Sequence, residues 1–484
     1  MMKLRLLSPL VVAAIVLAWS PSAWANVTLA NIFQSGMVIQ QQMPIRIWGT
    51  AEPGEQVTVS MARKTTTTKA GDDGTWKVEL PPLKASWTEY SISIKGKNAV
   101  ALEKVLVGEV WICSGQSNME WGVGQSHDAA NEIAAANLPQ IRLFNVPGHT
   151  VAPLPQPDVP GSWQACSPQT IGEFSGVGYF FGRTLLKGLD VPIGLIGTNW
   201  GGTRIEPWTP PEGFDKVESL KGTADEVRGR NKESKVNQNQ PAAIYNAMVH
   251  GLTPLSVRGA IWYQGESNTN DGLGYAPKQR ALVHGWRSVF QNPELAFYWV
   301  QLADFQAETD NPAGGGWGPV REAQRRALDL PHTGMAVIID IGDAKNIHPQ
   351  NKQDVGSRLA RWALHQTYGK KDIVPSGPLY KSMAVEGDKV RIHFDHVDGG
   401  LMVGKKEGLN PTQEATGTEL ARFSIQAADG KWHWAKAKID GETVVIWAEG
   451  VADPKHVRYA YESNPAGCNL YNKTGLPASP FTTD

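Results

Sequence analysis

The chain has 484 residues, with 46 basic and 47 acidic side chains and a formal charge of −1. The length exceeds one average domain, so two or three are expected, and with no basic run nothing argues for a nucleic-acid or anionic-membrane surface. The 18 tryptophans are numerous; core and interface packing accounts for most of them, although a flat indole ring also suits the apolar face of a sugar.

Residues 1–25 read as a secretory signal. Lys3 and Arg5 make a short positive region, Pro9 to Trp19 is mostly apolar, and Ala23-Trp24-Ala25 is a small-x-small cleavage site. The run is too short for a comfortable membrane span, and no later stretch reaches ~18 unbroken apolar residues. The expectation is cleavage after Ala25 and a protein exported to the periplasm or medium, with no membrane partner once the signal is gone. Export permits disulfides. The three cysteines, Cys113, Cys166 and Cys468, leave at least one free thiol. Cys113 lies in a β run and reads as a small buried hydrophobe. A Cys166–Cys468 bridge stays open, since spacing does not decide it. No Cys or His spacing resembles a zinc site, and no metal or cofactor is expected.

Residues 26–105 form short β runs, 45–51, 55–61, 74–81 and 90–96, separated by turns such as Glu52-Pro53-Gly54. That is the pattern of a β-sandwich domain. Residues 106–370 change to apolar strands alternating with helical patterns, as in a parallel α/β sheet. Five strands are expected: Val110–Cys113, Ile193–Gly197, Ala260–Tyr263, Phe297–Leu302 and Ala336–Asp340. Helices are expected at Val177–Leu186, Ala242–His250, Val320–Leu328 and after Pro349. From 371 to 484 β alternation returns, at 389–395, 430–439, 443–448 and 456–462. How the two flanking β regions pack is open; separate modules are the working expectation. Oligomeric state is not legible.

Ligand sites of open α/β sheets lie beyond the carboxyl ends of the strands. After the first strand comes Gly115-Gln116-Ser117-Asn118. After the second comes Asn199-Trp200-Gly201-Gly202-Thr203-Arg204. After the third comes Gln264-Gly265-Glu266-Ser267-Asn268, and after the fifth come Asp343 and then His348-Pro349. Such residues suit acyl transfer. Ser117 is a nucleophile that needs a base, and His348 can accept its proton near neutral pH. The Ser117 N–H, a glycine N–H from Gly201 or Gly202, and the Gln264 amide could converge on an oxyanion. Each piece has an ordinary alternative: Ser117 with Glu120 has capping-box spacing, Gly201-Gly202 could be a plain turn, and His348 a loop histidine. Met119 stands where a Gly-x-Ser-x-Gly elbow needs its second glycine, which disfavours the α/β-hydrolase fold.

The blocks GEVWICSGQSNMEW, GLIGTNWGGTRIEPW, IWYQGESNT and IHPQNK together resemble the sialate O-acetylesterase family of the SGNH, or GDSL-like, hydrolase superfamily. The four blocks span residues 108–352, and the flanks are similar too. The resemblance implies a flavodoxin-like, three-layer α/β domain with flanking β-sandwich-like regions, acting on O-acetylated carbohydrate, O-acetylated sialic acid first of all, without a cofactor. Ser117 would be the nucleophile and His348 the base. Gln116, Asn118, Trp200, Glu266 and Asn268 would support the site or touch substrate. Many members carry an Asp two residues before the histidine; here it is Asn346, and three before stands Lys345. Asp343 or Asn346 is therefore the expected partner of the imidazole. Arg204 invites a sialic-carboxylate reading, with a pair to Glu206 as its alternative. Acetylated xylan is the second substrate class that the blocks allow. A carbohydrate-binding protein that kept an esterase fold is a third reading, and a lipid or thioester hydrolase the last. The polar loop 218–240 could cover the site or be surface.

Overall fold

The computed structural model describes residues 26–484, so the signal reading of residues 1–25 lies outside the described residues. A central sheet organises them. Its strands are β1 (Ala99–Gly115), β2 (Leu138–Asn145), β3 (Trp163–Cys166), β4 (Ile193–Asn199), β5 (Gly259–Tyr263), β6 (Ala296–Val300) and β7 (Thr333–Ala336). They lie in the order β3-β2-β4-β1-β5-β6-β7. All neighbours run parallel except the edge pair β3–β2, which is antiparallel. Every residue of β4, β5 and β6 is buried, as strands covered on both faces require.

Helix α1 (Ser117–Glu120) follows β1, α2 (Gly176–Leu189), α3 (Tyr275–Val289) and α4 (Gly318–Arg326) lie in the crossovers between strands, and α5 (Lys352–Trp362) follows the last strand, β7. The arrangement is the mixed α/β class expected. The α2–α5 contact is so close that a Cβ on Gly356 would stand 2.6 Å from the Phe181 nitrogen.

Several elements differ from expectation. Strand β2 and helix α3 had no counterpart in the sequence reading. Segment 242–250 is a π-turn at Tyr245–Val249 running into a 3-10 turn rather than an α-helix. Strand β7 starts and ends earlier than expected, because the chain turns where Ile341 N–H bonds back to Ile338 O.

Strand β1 is 17 residues long and runs through position 105 without a break. Its first half pairs with Ser86–Lys95 and Val38–Gln40, and its second half is the centre of the parallel sheet. One continuous apolar core accordingly extends from Val27 to Leu379. Residues 390–481 build a separate core of antiparallel strands. All three cysteines are free thiols, so the open Cys166–Cys468 bridge is not formed. Among the described residues no helix is long and apolar enough to cross a membrane.

Candidate active site

The chain leaves β1 toward β4 and later crosses to β5 on its other side, which opens a crevice at the carboxyl end of β1. Gly115 makes the turn there with φ +141°, and a Cβ on it would stand 2.1 Å from Tyr263 O. Only glycine fits. Gln116 N–H donates to Tyr263 O and Trp200 N–H to Gly115 O, both at 3.0 Å, tying the turn to both neighbouring strands. Gln116 is the N-cap of α1 and Ser117 its first residue. The capping-box alternative for Ser117 is therefore not realised.

Ser117 Oγ lies 2.8 Å from His348 Nε2. His348 arrives on the loop after β7, and three contacts place it. Its ring stacks on Trp121 at 4.5 Å and 21°. Its own N–H donates to Asn346 Oδ1 at 2.9 Å. The preceding carbonyl, Ile347 O, accepts from Asn118 Nδ2 at 3.0 Å. Asn118 is itself held from behind: Lys352 Nζ donates to its Oδ1 at 2.5 Å, and its Nδ2 also donates to Glu266 Oε1 at 2.6 Å.

This buried layer tunes the histidine. Burial pushes the Lys352 ammonium down to about 7, with Glu266 opposing, and burial raises the Glu266 carboxyl. Burial first, and the Lys352 charge second, hold the His348 imidazole below its ordinary 6.5. The neutral form is the one that can take a proton, so base competence is present above the folded pKa and lost as pH falls through it. The acid limb of kcat/KM is expected below pH 6.5, and a pH profile on an aryl acetate checks it.

The expected carboxylate partner of His348 is corrected. Asp343 Oδ1 accepts from Lys345 N–H at 2.8 Å. Asp340 is bidentate to Arg358, at 2.6 and 2.8 Å. Asn346 reaches the His348 backbone and not its ring. Among the described residues His348 Nδ1 has no hydrogen-bond partner. Replacing Asp343 by Asn is therefore expected to keep kcat/KM within about threefold, whereas the same change in a true triad costs ~10⁴-fold in kcat. Steady-state kinetics of the variant decide it.

The groups expected to donate to an oxyanion differ in what they face. Gln264 is fully buried. Its Nε2 already faces Gln116 Oε1 at 3.1 Å, Thr203 O at 3.2 Å and Asn268 Oδ1 at 2.7 Å. It braces the loops and does not line the crevice. Gly201 N–H is bonded to Glu120 Oε2 at 2.7 Å. Gly202, with φ +74° and an exposed backbone, has no N–H partner among the described residues, and neither has the Ser117 N–H at the start of α1.

Ser117 and His348 open onto a cleft of about 460 Å³ whose wall includes Glu120, Trp121, Asn145, His149, Glu173 and Asn199. A larger cavity of about 560 Å³ beside Trp48 contains neither Ser117 nor His348. Trp200 stacks on His149 at 5.1 Å. Arg204 takes its alternative reading, with Nη2 3.0 Å from both Glu206 Oε1 and Asp271 Oδ1. Asn268 accepts from Ile205 N–H at 3.0 Å and donates to Asp271 and Glu206. Neither Arg204, Glu266, Asn268 nor any residue of 218–240 lines the cleft. Among the described residues no cluster of His, Cys, Asp and Glu is arranged to hold a metal ion. Glu120, His149 and Glu173 were missed. His149 follows the unrecognised strand β2, and counting that strand would have flagged its loop by the rule that found the others.

Fold and comparisons together define a carboxylic ester hydrolase. Residues 107–365 match the family described as carbohydrate esterase, sialic acid-specific acetylesterase, and the chain belongs to that family. It is 29% identical to the sialate O-acetylesterase of Rattus norvegicus over 536 residues, covering 96% of this chain and 95% of that protein. The Homo sapiens sialate O-acetylesterase is also 29% identical, over 95% of this chain and 93% of its own. A solved structure of a novel carbohydrate acetylesterase from Xanthomonas citri is 38% identical, covers 95% of this chain and 99% of that chain, and superposes with a TM-score of 0.84.

Proposed function

We propose that the chain removes O-acetyl groups from carbohydrate through an acetyl-serine on Ser117. The observation that carries this is the 2.8 Å contact from Ser117 Oγ to His348 Nε2 at the mouth of a polar cleft. His348 takes the hydroxyl proton as Oγ attacks the acetyl carbonyl carbon. The tetrahedral oxyanion accepts from the free Ser117 N–H and from a glycine N–H of the adjoining Gly201-Gly202 pair. His348 then gives the proton to the departing sugar oxygen. Water, deprotonated by the same imidazole, attacks the acetyl-serine and releases acetate. The names of the relatives, acetylesterases of sialate and of carbohydrate, support the substrate class. A merely sugar-binding role would fit the missing acid partner at His348 Nδ1 but leaves the Ser117–His348 contact without a purpose. Acetate release from an aryl acetate and from acetylated carbohydrates, each compared with Ser117→Ala, tests the reading.

We further infer an export role for the N-terminus and a division of the chain near 105 and 370. Residues 1–25 act as an export signal, so a recovered mature chain should begin at Asn26, which its intact mass would reveal. The boundaries near 105 and 370 mark an esterase unit with a β region on each side; the shared strand β1 and joint core favour treating the first two as one folding unit.

A further inference from the structure

We propose that the cleft is built for acetyl esters of uncharged sugars and disfavours any sugar that carries a carboxylate. The inference rests on the reading of Ser117 and His348 above and names the substrate class of that site. No lysine or arginine lines the cleft, whereas two carboxylates, Glu120 and Glu173, do. Glu173 is exposed and makes no ion pair or hydrogen bond among the described residues. Glu120 sits against the nucleophile: it bonds Gly201 N–H at 2.7 Å, and a Cβ on Gly201 would be 3.2 Å from Ser117 Cβ. Its other oxygen lies 2.7 Å from His149 Nε2. The remaining imidazole on the wall, His348, is held toward its neutral form.

The two cations that could have received a sugar carboxylate are spent elsewhere. Arg204 is bonded to Glu206 and Asp271 and lies off the cleft wall. Lys352 is fully buried behind Trp121, its Nζ 6.0 Å from that ring, and faces Asn118 and Glu266. An anionic sugar would thus bring its charge beside the unpaired Glu173 and the His149-paired Glu120, with no guanidinium or ammonium to meet it, which costs affinity and slows encounter. A neutral sugar meets hydroxyl partners in Asn145, Asn199, Gln125 and Ser175, and a ring surface in Trp121.

The test compares acetate release by the full protein from O-acetylated sialic acid, from its carboxyl methyl ester, from an acetylated xylo-oligosaccharide and from an aryl acetate. Masking the carboxylate is expected to raise kcat/KM about tenfold or more, the scale of one like-charge contact in a partly shielded cleft. Glu173→Gln and higher ionic strength should each narrow that gap, raising kcat/KM for the free acid more than for its methyl ester. Equal or faster release from the free acid overturns the proposal. So does a gap that neither Glu173→Gln nor salt changes, or aryl acetate cleavage with no release from either uncharged sugar. Inertness toward the aryl acetate as well is a different failure, that of the esterase reading itself.

Discussion

Replacing Ser117 by Ala is expected to lower kcat/KM for acetyl esters by at least about 10⁴-fold and to leave thermal stability nearly unchanged. The hydroxyl has one hydrogen-bond partner in the protein, His348 Nε2, and Ser117 is only partly buried. Its loss therefore strands no buried polar group and opens no cavity, so the large fall must come from chemistry. The N–H groups of Ser117 and Gly202 survive the substitution, which leaves a residual rate above the uncatalysed one. His348→Ala should cost a similar factor, and the double variant little more, because the two side chains act as one unit. Acetate release and a melting curve measured on the same preparation decide the matter. A variant that keeps more than a few per cent of activity would remove Ser117 from the mechanism.

What the sequence made legible follows a physical line. Strands covered on both faces are uninterrupted apolar runs, so GAIWY and AFYWV could be read directly. Strand β2 sits beside the sheet edge, alternates buried and partly exposed residues, and is broken by Gln140 and Arg142. Helix α3 carries Pro277 and Gly285, which read as breakers. Yet the proline falls in the first turn, where its missing N–H costs nothing, and a Cβ on the glycine would stand 3.0 Å from Gly213 Cα, so it marks close packing. Ser117 and His348, 2.8 Å apart in the structure, could be paired from the sequence because sheet topology alone sends strand-end loops to one crevice. Which polar neighbour each then chooses is a tertiary matter. Gln264 looked like a donor to substrate and is buried as a brace. Asp343 looked like a triad acid and closes its own turn. Glu120 looked like a cap and instead accepts from the Gly201 N–H on the neighbouring loop.

That division of labour puts the positioning of His348 on Asn118. Asn118→Ala is expected to lower kcat by about 10²-fold with KM little changed, the loss that accompanies a reacting group displaced by about 1 Å. One side chain here serves three partners: Lys352 Nζ, Glu266 Oε1 and Ile347 O. Without it Glu266 keeps no hydrogen bond at either oxygen, since its Oε2 already has none. Two buried ionisable groups then face each other without the amide between them. Removing a partner from such a pair typically costs about 3 kcal/mol or more, lessened here because Lys352, already pushed down to about 7, can surrender its proton. The melting temperature should fall accordingly. Asn118→Asp separates the two effects: it keeps an acceptor for Lys352 but cannot donate to Ile347 O. A positioning role requires that the aspartate variant lose kcat as the alanine variant does, even where it recovers stability. If both variants melt lower yet keep kcat within about threefold, the network holds the fold together, and the stack of His348 on Trp121 suffices to aim the imidazole at Ser117.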